Sequence, residues 1–253
     1  MKILHALLAG SLLLAPSFPG SAGPAVPGPG GAAPPAQEDR GYYQSPTLHG
    51  ETLVFSSESD LWTVPLGGGT ARRLTSHPAP ETEPHLSPDG AWIAFTGRYE
   101  GGTDVYRMPA AGGAVERLTF ESDEVRVQGW TREGRILYAT QGVVGPSWSW
   151  VLRQVDPATG VVETVPLADA REGSHGEDGT LYFTRFGLEV TADNVRAYRG
   201  GAMAQLWRFR PGADEAERLA GDHEGNLTRP MWWDGALYLV SDADGVANLW
   251  RME

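Results

Sequence analysis

The chain contains no cysteine in 253 residues. Disulfides, thiolate nucleophiles and zinc–thiolate centres are excluded together, as is a lipid anchor attached through an N-terminal cysteine. Basic charge is scarce: 20 Lys and Arg stand against 32 Asp and Glu, a formal net charge of −12. Phosphate contacts need clustered Lys and Arg, and no basic stripe is present, so nucleic acid and anionic membrane are poor partners. The chain also lacks Gly-x-Ser-x-Gly and His-Glu-x-x-His, and its six histidines include no i,i+4 pair. The signatures of a strained nucleophile turn and of a helical zinc site are therefore missing. What is plentiful is Gly (33), Pro (19) and Trp (9), which favours many tight turns and sheet-packing aromatics over long helices. Apolar residues make up 41%, enough to build a core for one large all-β domain or two small ones.

Residues 1–22 read as a secretory signal. Lys2 supplies the positive end, Ile3 to Ala15 the apolar stretch, and Gly20-Ser21-Ala22 the small residues of a cleavage site. The stretch is too short to span a membrane, and Pro16 and Pro19 end it. Residues 23–40 are Gly, Pro and Ala-rich and predict a disordered linker. The folded part is expected over 41–253, outside the cytoplasm, with no membrane attachment once the signal is cut.

Over that stretch one pattern recurs. Turn glycines at Gly50, Gly90, Gly134, Gly179 and Gly235 are each followed by a β-rich run, such as Trp92-Ile93-Ala94-Phe95 or Thr180-Leu181-Tyr182-Phe183. A second, alternating run follows: Asp60-Leu61-Trp62, Asp104-Val105-Tyr106, Trp150-Val151-Leu152, Gln205-Leu206-Trp207 and Asn248-Leu249-Trp250. Then come a Gly-marked hairpin and a closing run, Arg73-Leu74-Thr75, Arg117-Leu118-Thr119, Glu163-Thr164-Val165 and Arg218-Leu219-Ala220. A repeat of about 40–45 residues built from short strands is the period of a propeller blade. One four-stranded sheet cannot bury both faces; stacking sheets around an axis does. The expected fold is an all-β propeller of four-stranded antiparallel blades. Four copies are complete and a fifth stops at Glu253, as in a fragment of a six-bladed ring.

Ser-Pro-Asp-Gly, an apolar strand, Asp-hydrophobe-aromatic, Gly-Gly and Arg-Leu-Thr together resemble the blade shared by TolB-type periplasmic proteins, prolyl-oligopeptidase-type propellers and the tricorn protease family. Two details are similar to tricorn in particular. One is the opening Ser45-Pro46-Thr47-Leu48-His49-Gly50 running into Asp60-Leu61-Trp62; the other is Tyr198-Arg199-Gly200-Gly201 before Gln205-Leu206-Trp207. The resemblance covers residues 42–253. It implies the N-terminal propeller of a serine-type peptidase that gates or docks peptides for a catalytic core beside a PDZ module further along the polypeptide, in a homo-oligomer. Archaeal members of that family are intracellular, whereas bacterial homologues carry leaders. The alternatives are a non-enzymatic TolB-like protein-binding scaffold and the cap of a prolyl-oligopeptidase-type enzyme.

No catalytic residue, cofactor or metal is assigned to this chain. Ser174 and His175 are adjacent and on a strand point to opposite faces. His49, His85 and His175 hold similar places before turns and read as structural. Asp242, Asp244 and Glu253 fall at positions 1, 3 and 12 of a calcium-loop count, but Val246 and Ala247 stand where a ligand and a glycine are required. Asp60 and Asp104 recur with the repeat and are expected to close turns on backbone N–H groups. Trp62, Trp207 and Trp250 read as sheet packing, while Trp148, Trp150, Trp232 and Trp233 depart from the pattern and could line a channel or blade face. The one feature expected to meet a partner is the insertion at 185–201, through Arg196, Tyr198 and Arg199.

Overall fold

The same four-stranded sheet is generated five times, once for each turn glycine. A computed structural model describes residues 3–5, 42–121, 123–143, 149–186 and 199–252. Among them are twenty strands and no helix. The first is β1 (Ile3–His5). Blade one holds β2 (Gln44–His49), β3 (Thr52–Ser57), β4 (Asp60–Pro65) and β5 (Arg72–Arg73). Blade two holds β6 (Glu81–Leu86), β7 (Trp92–Gly97), β8 (Asp104–Pro109) and β9 (Glu116–Arg117). Blade three holds β10 (Val125–Trp130), β11 (Ile136–Gln141), β12 (Trp150–Val155) and β13 (Val162–Thr164). Blade four holds β14 (Glu172–His175), β15 (Leu181–Arg185), β16 (Gln205–Phe209) and β17 (Glu217–Arg218). Blade five holds β18 (Leu227–Trp233), β19 (Ala236–Ser241) and β20 (Asn248–Met252). All pairings are antiparallel. The five marker glycines all have positive φ, from 54° to 82°, the turn conformation their spacing predicted.

Arg-Leu-Thr has a mechanical reading. The outer strands β5 and β9 end at the arginine. The Leu N–H still bonds across the ladder (Leu74 to Leu61 O, 2.7 Å; Leu118 to Val105 O, 2.8 Å). Then the Thr hydroxyl replaces a backbone acceptor: Leu61 N donates to Thr75 Oγ1 and Val105 N to Thr119 Oγ1, both at 2.9 Å. The ladder is thus finished by a side chain, which satisfies the last buried N–H.

Blade five corrects the expectation of a truncated copy. Its fourth position is filled from the other end of the chain by β1, with His5 opposite Trp250 and Ile3 opposite Met252. The register matches that of the other outer strands: Trp250 corresponds to Trp62 and Tyr106, which face Arg73 and Arg117. An edge strand presents free N–H and C=O groups, and any extended segment in reach can take them. Residues 3–5, expected to leave with a signal, are part of this sheet.

Each blade packs on the next in chain order, and four apolar clusters mark the four junctions. At the first, Val54 and Leu61 meet Ile93, Phe95, Tyr106 and Met108; at the last, Leu206 and Leu219 meet Leu237, Leu239 and Met252.

Candidate functional site

The first strand of each blade is nearest the propeller axis, and it is the strand with no counterpart in the sequence pattern. Three of the five carry a proline-containing bulge, Ser45-Pro46, Glu83-Pro84 and Arg229-Pro230, and β10 shifts register at Gln128. The residue before each proline has left-handed φ: 47° at Ser45, 53° at Glu83 and 50° at Arg229. Such values are unusual for non-glycine residues, and more so before proline, which favours extended backbone. A bulge re-aims its side chain and frees backbone groups. N–H groups of the inner strands bond side chains of the preceding blade: Leu86 N bonds Thr47 Oγ1 (3.1 Å), Val127 N bonds Thr96 Oγ1 (2.9 Å) and Gly173 N bonds Gln128 Oε1 (3.2 Å). Arg229 N bonds Glu172 Oε2 (2.6 Å) and Trp232 N bonds Ser174 Oγ (3.0 Å).

These strands bring Glu83, Glu124, Arg126, Glu172 and Arg229 toward one region. Glu124 and Arg126 are ion-paired at 2.8 Å, and the Arg126 guanidinium lies 4.6 Å over the Trp150 ring. Glu172 also accepts a bond from Thr184 Oγ1 at 3.1 Å. Glu83 accepts from Thr96 Oγ1 at 3.0 Å. Burial pushes its carboxyl up to about 7; the Thr96 bond and the charges of Arg126 and Arg229 act the other way, and Glu124 adds to the rise. Arg229 belongs to blade five and Glu83 to blade two. Together Glu83, Glu124, Arg126, Glu172 and Arg229 form a polar, charge-compensated group on and beside the inner strands.

Among the described residues, Ser174 and His175 do not pair with each other. Ser174 Oγ is used by Trp232 N, and His175 faces the other way, its Nε2 3.5 Å from Gln154 Nε2. Burial lowers the pKa of His175, and that of His85 to about 4. His49 lies over the Gly90 turn, its Nε2 3.1 Å from Pro88 O. Asp104 accepts from Arg117 (2.6 Å), Thr119 (2.9 Å) and Glu121 N (2.8 Å), the turn-closing role its recurrence predicted. Asp60 holds Arg73 in the first blade. Asp242 is bound to Asn226 N (2.8 Å) and Asn226 Nδ2 (3.1 Å), so the calcium count finds no loop here. Among the described residues no cluster of three or more His, Asp or Glu could hold a metal.

Arg199 reaches across the junction of blades four and five, donating to Asp242 O (2.8 Å) and Asp242 Oδ2 (3.3 Å). Arg196, Tyr198 and Trp148 lie outside the described residues. Trp150 is buried in blade three, and Trp232 stacks on Tyr182 at 5.4 Å and 7°. Trp233 is 64% exposed. The acids and arginines of the inner-strand group escaped the sequence reading. The available signal was the recurring X-Pro step ahead of the turn glycines.

A family model described as "Tricorn protease N-terminal beta propeller domain" matches residues 40–253. Tricorn protease homolog 1 of Streptomyces coelicolor is 33% identical over 211 residues, covering 83% of this chain and 20% of that protein. The chain thus spans about a fifth of the length of that relative. In the crystal structure of the tricorn protease, a propeller superposes with a TM-score of 0.73 at 21% identity, covering 84% of this chain and 21% of that one. A putative TolB from Agrobacterium tumefaciens follows, with a TM-score of 0.65 at 20% identity, covering 79% and 70%. At these identities the two structures speak to fold alone.

The relatives overturn the extracytoplasmic location. That expectation rested on the apolar N-terminal segment being a removable leader. The matches are to archaeal and bacterial tricorn proteases, the group whose archaeal members are intracellular, and Ile3–His5 of the segment is a strand of blade five.

Proposed function

The chain belongs to the tricorn protease N-terminal β-propeller family, and from that premise we propose that it admits or docks peptides for a serine-type catalytic core outside this chain. The observation that carries the reading is the polar, charge-compensated group on the inner strands, beside which Ser174 and His175 form no nucleophile–base pair. Docking and sieving are its chemistry; bond cleavage belongs to the core.

We infer further that the working ring has six blades. Leu61, Val105, Leu152 and Leu206 hold one position on successive blades, and each is fully buried by the blade that follows. The fifth copy, Leu249, is only half-buried, and on the inner strand of the same blade Met231 is 41% exposed. At the other end of the arc Leu48 of blade one is 47% exposed. A further blade of the same kind covers both faces. In this reading Arg196, Tyr198 and Arg199 contact a neighbouring domain or subunit of a homo-oligomer.

The test is peptide hydrolysis, measured for this chain alone and for a tricorn-type catalytic core with and without it. No turnover is expected from the chain. The core's preference for peptide length should shift when the chain is added, and an unchanged product spectrum refutes the reading. A TolB-like scaffold predicts protein partners and no such shift.

A further inference from the structure

We propose that the outer edge of β20 is a docking site for an extended peptide, one that carries arginine, an apolar residue and threonine in succession. The site lies apart from the inner-strand group and does not depend on it. Among the described residues, β20 is the one third strand whose outer lane is not supplied by a hairpin of its own blade. Six residues link β4 to β5, and six link β8 to β9. Blade five takes β1 instead, and thirty-eight residues separate β1 from β2. Loop closure weakens as about the −3/2 power of length, so β1 holds its lane about fifteenfold less securely than a hairpin strand. A strand so held at a sheet edge is one that an added strand can displace.

The other blades show what the lane accepts. Arg73 stands opposite Trp62, Arg117 opposite Tyr106 and Arg218 opposite Trp207. A leucine follows each arginine, and its N–H bonds Leu61 O, Val105 O or Leu206 O, at 2.7, 2.8 and 2.9 Å. Each of these leucines joins the apolar junction beside the residue it bonds. In blades one and two a threonine hydroxyl then accepts the N–H of that same residue. The matching places in blade five lie opposite Trp250, Leu249 and Asn248. At the first, β1 sets His5 opposite Trp250, where arginine stands elsewhere. At the second, Leu249 is half-buried, whereas Leu61, Val105 and Leu206 are fully buried. An apolar residue of the peptide covers Leu249 as Leu74, Leu118 and Leu219 cover their counterparts. The repeat therefore describes the ligand, and the site is the blade whose own hairpin does not complete it.

The test is fluorescence anisotropy of a labelled heptapeptide with the sequence of Val115 to Glu121, on the full chain and on a chain lacking residues 1–6. Both should bind it. The shortened chain should do so about tenfold more tightly, as for a lane that β1 fills about nine-tenths of the time. A peptide with proline in place of the leucine lacks the N–H for Leu249 O and the side chain that covers Leu249. It should bind at least about tenfold more weakly. Hydrogen exchange on the full chain gives a readout that needs no truncation. The parent peptide should slow the amide of Leu249, the counterpart of the Leu61 and Val105 amides that threonine hydroxyls accept. Four results overturn the proposal: no binding to either chain, equal affinity for both, indifference to the proline, or an unchanged Leu249 amide.

Discussion

Replacing Asp104 separates a structural carboxylate from a catalytic one. Asp104 is 1% exposed and both its oxygens are used, by Arg117, Thr119 and the N–H of Glu121. D104A strands three donors in the junction between blades two and three. Removing one partner of a buried pair costs about 3–5 kcal/mol. Arg117 keeps its bonds to Glu100 and to Thr119 O (2.9 Å), so the lower end applies, about 3 kcal/mol. For a domain of this size that lowers the thermal midpoint by about 6–12 °C. Asp60 is the internal control. It holds the same position in blade one, but its Oδ1 is buried without a partner and Arg73 is half-exposed. Deleting it removes a near-surface pair and an orphaned oxygen together, a net cost of about 1 kcal/mol or less. Urea unfolding followed by tryptophan fluorescence gives both values. Equal losses from D60A and D104A, or a D104A chain of unchanged stability, would refute the reasoning.

Two further outcomes follow from the same geometry. An alanine Cβ at Gly90 would fall on the His49 ring at a φ of 70°, so G90A should cost at least about 1–2 kcal/mol in urea unfolding, and H49A in the same background should recover part of it. Glu83 titrates near 7 when folded against an ordinary 4.5, so the folded state holds its proton longer. Its contribution is complete below about pH 4.5 and is lost as the pH rises through 7. E83Q should remove that fall, and the difference between parent and E83Q cancels the opposite slope of His85 between pH 6.5 and 4; a difference that does not vary over this window contradicts the buried placement of Glu83.

The second, third and closing strands of the blades were legible because they obey simple rules. Runs such as Ile93-Ala94-Phe95 and Asp104-Val105-Tyr106 alternate or cluster apolar residues between glycine turns, as two-faced buried strands must. The inner strands break both rules. Ser45-Pro46, Glu83-Pro84 and Arg229-Pro230 put proline inside a strand and an extra residue into the ladder, so neither propensity nor period two applies. The polar group was invisible for a related reason: Glu83 and Arg229 are 146 residues apart in sequence, and only the fold brings their charges within reach of each other. Asp104 was read correctly, since it accepts the Glu121 N–H, whereas Asp60, which recurs with it, pairs with Arg73 and keeps Oδ1 without a partner. Strand β1 could not be foreseen, since three residues of an apolar segment carry no register of their own.

The pairing of β1 shows that the outermost lane of a blade is indifferent to connectivity. A segment arriving from the far terminus lies in the register that a hairpin supplies elsewhere, with Ile3–His5 opposite the same places that Arg73 and Arg117 face. At β1 the strand pairing itself is made by main-chain groups. A permuted gene opened between two blades can therefore return its last strand to the first sheet without redesigning any side chain in the core.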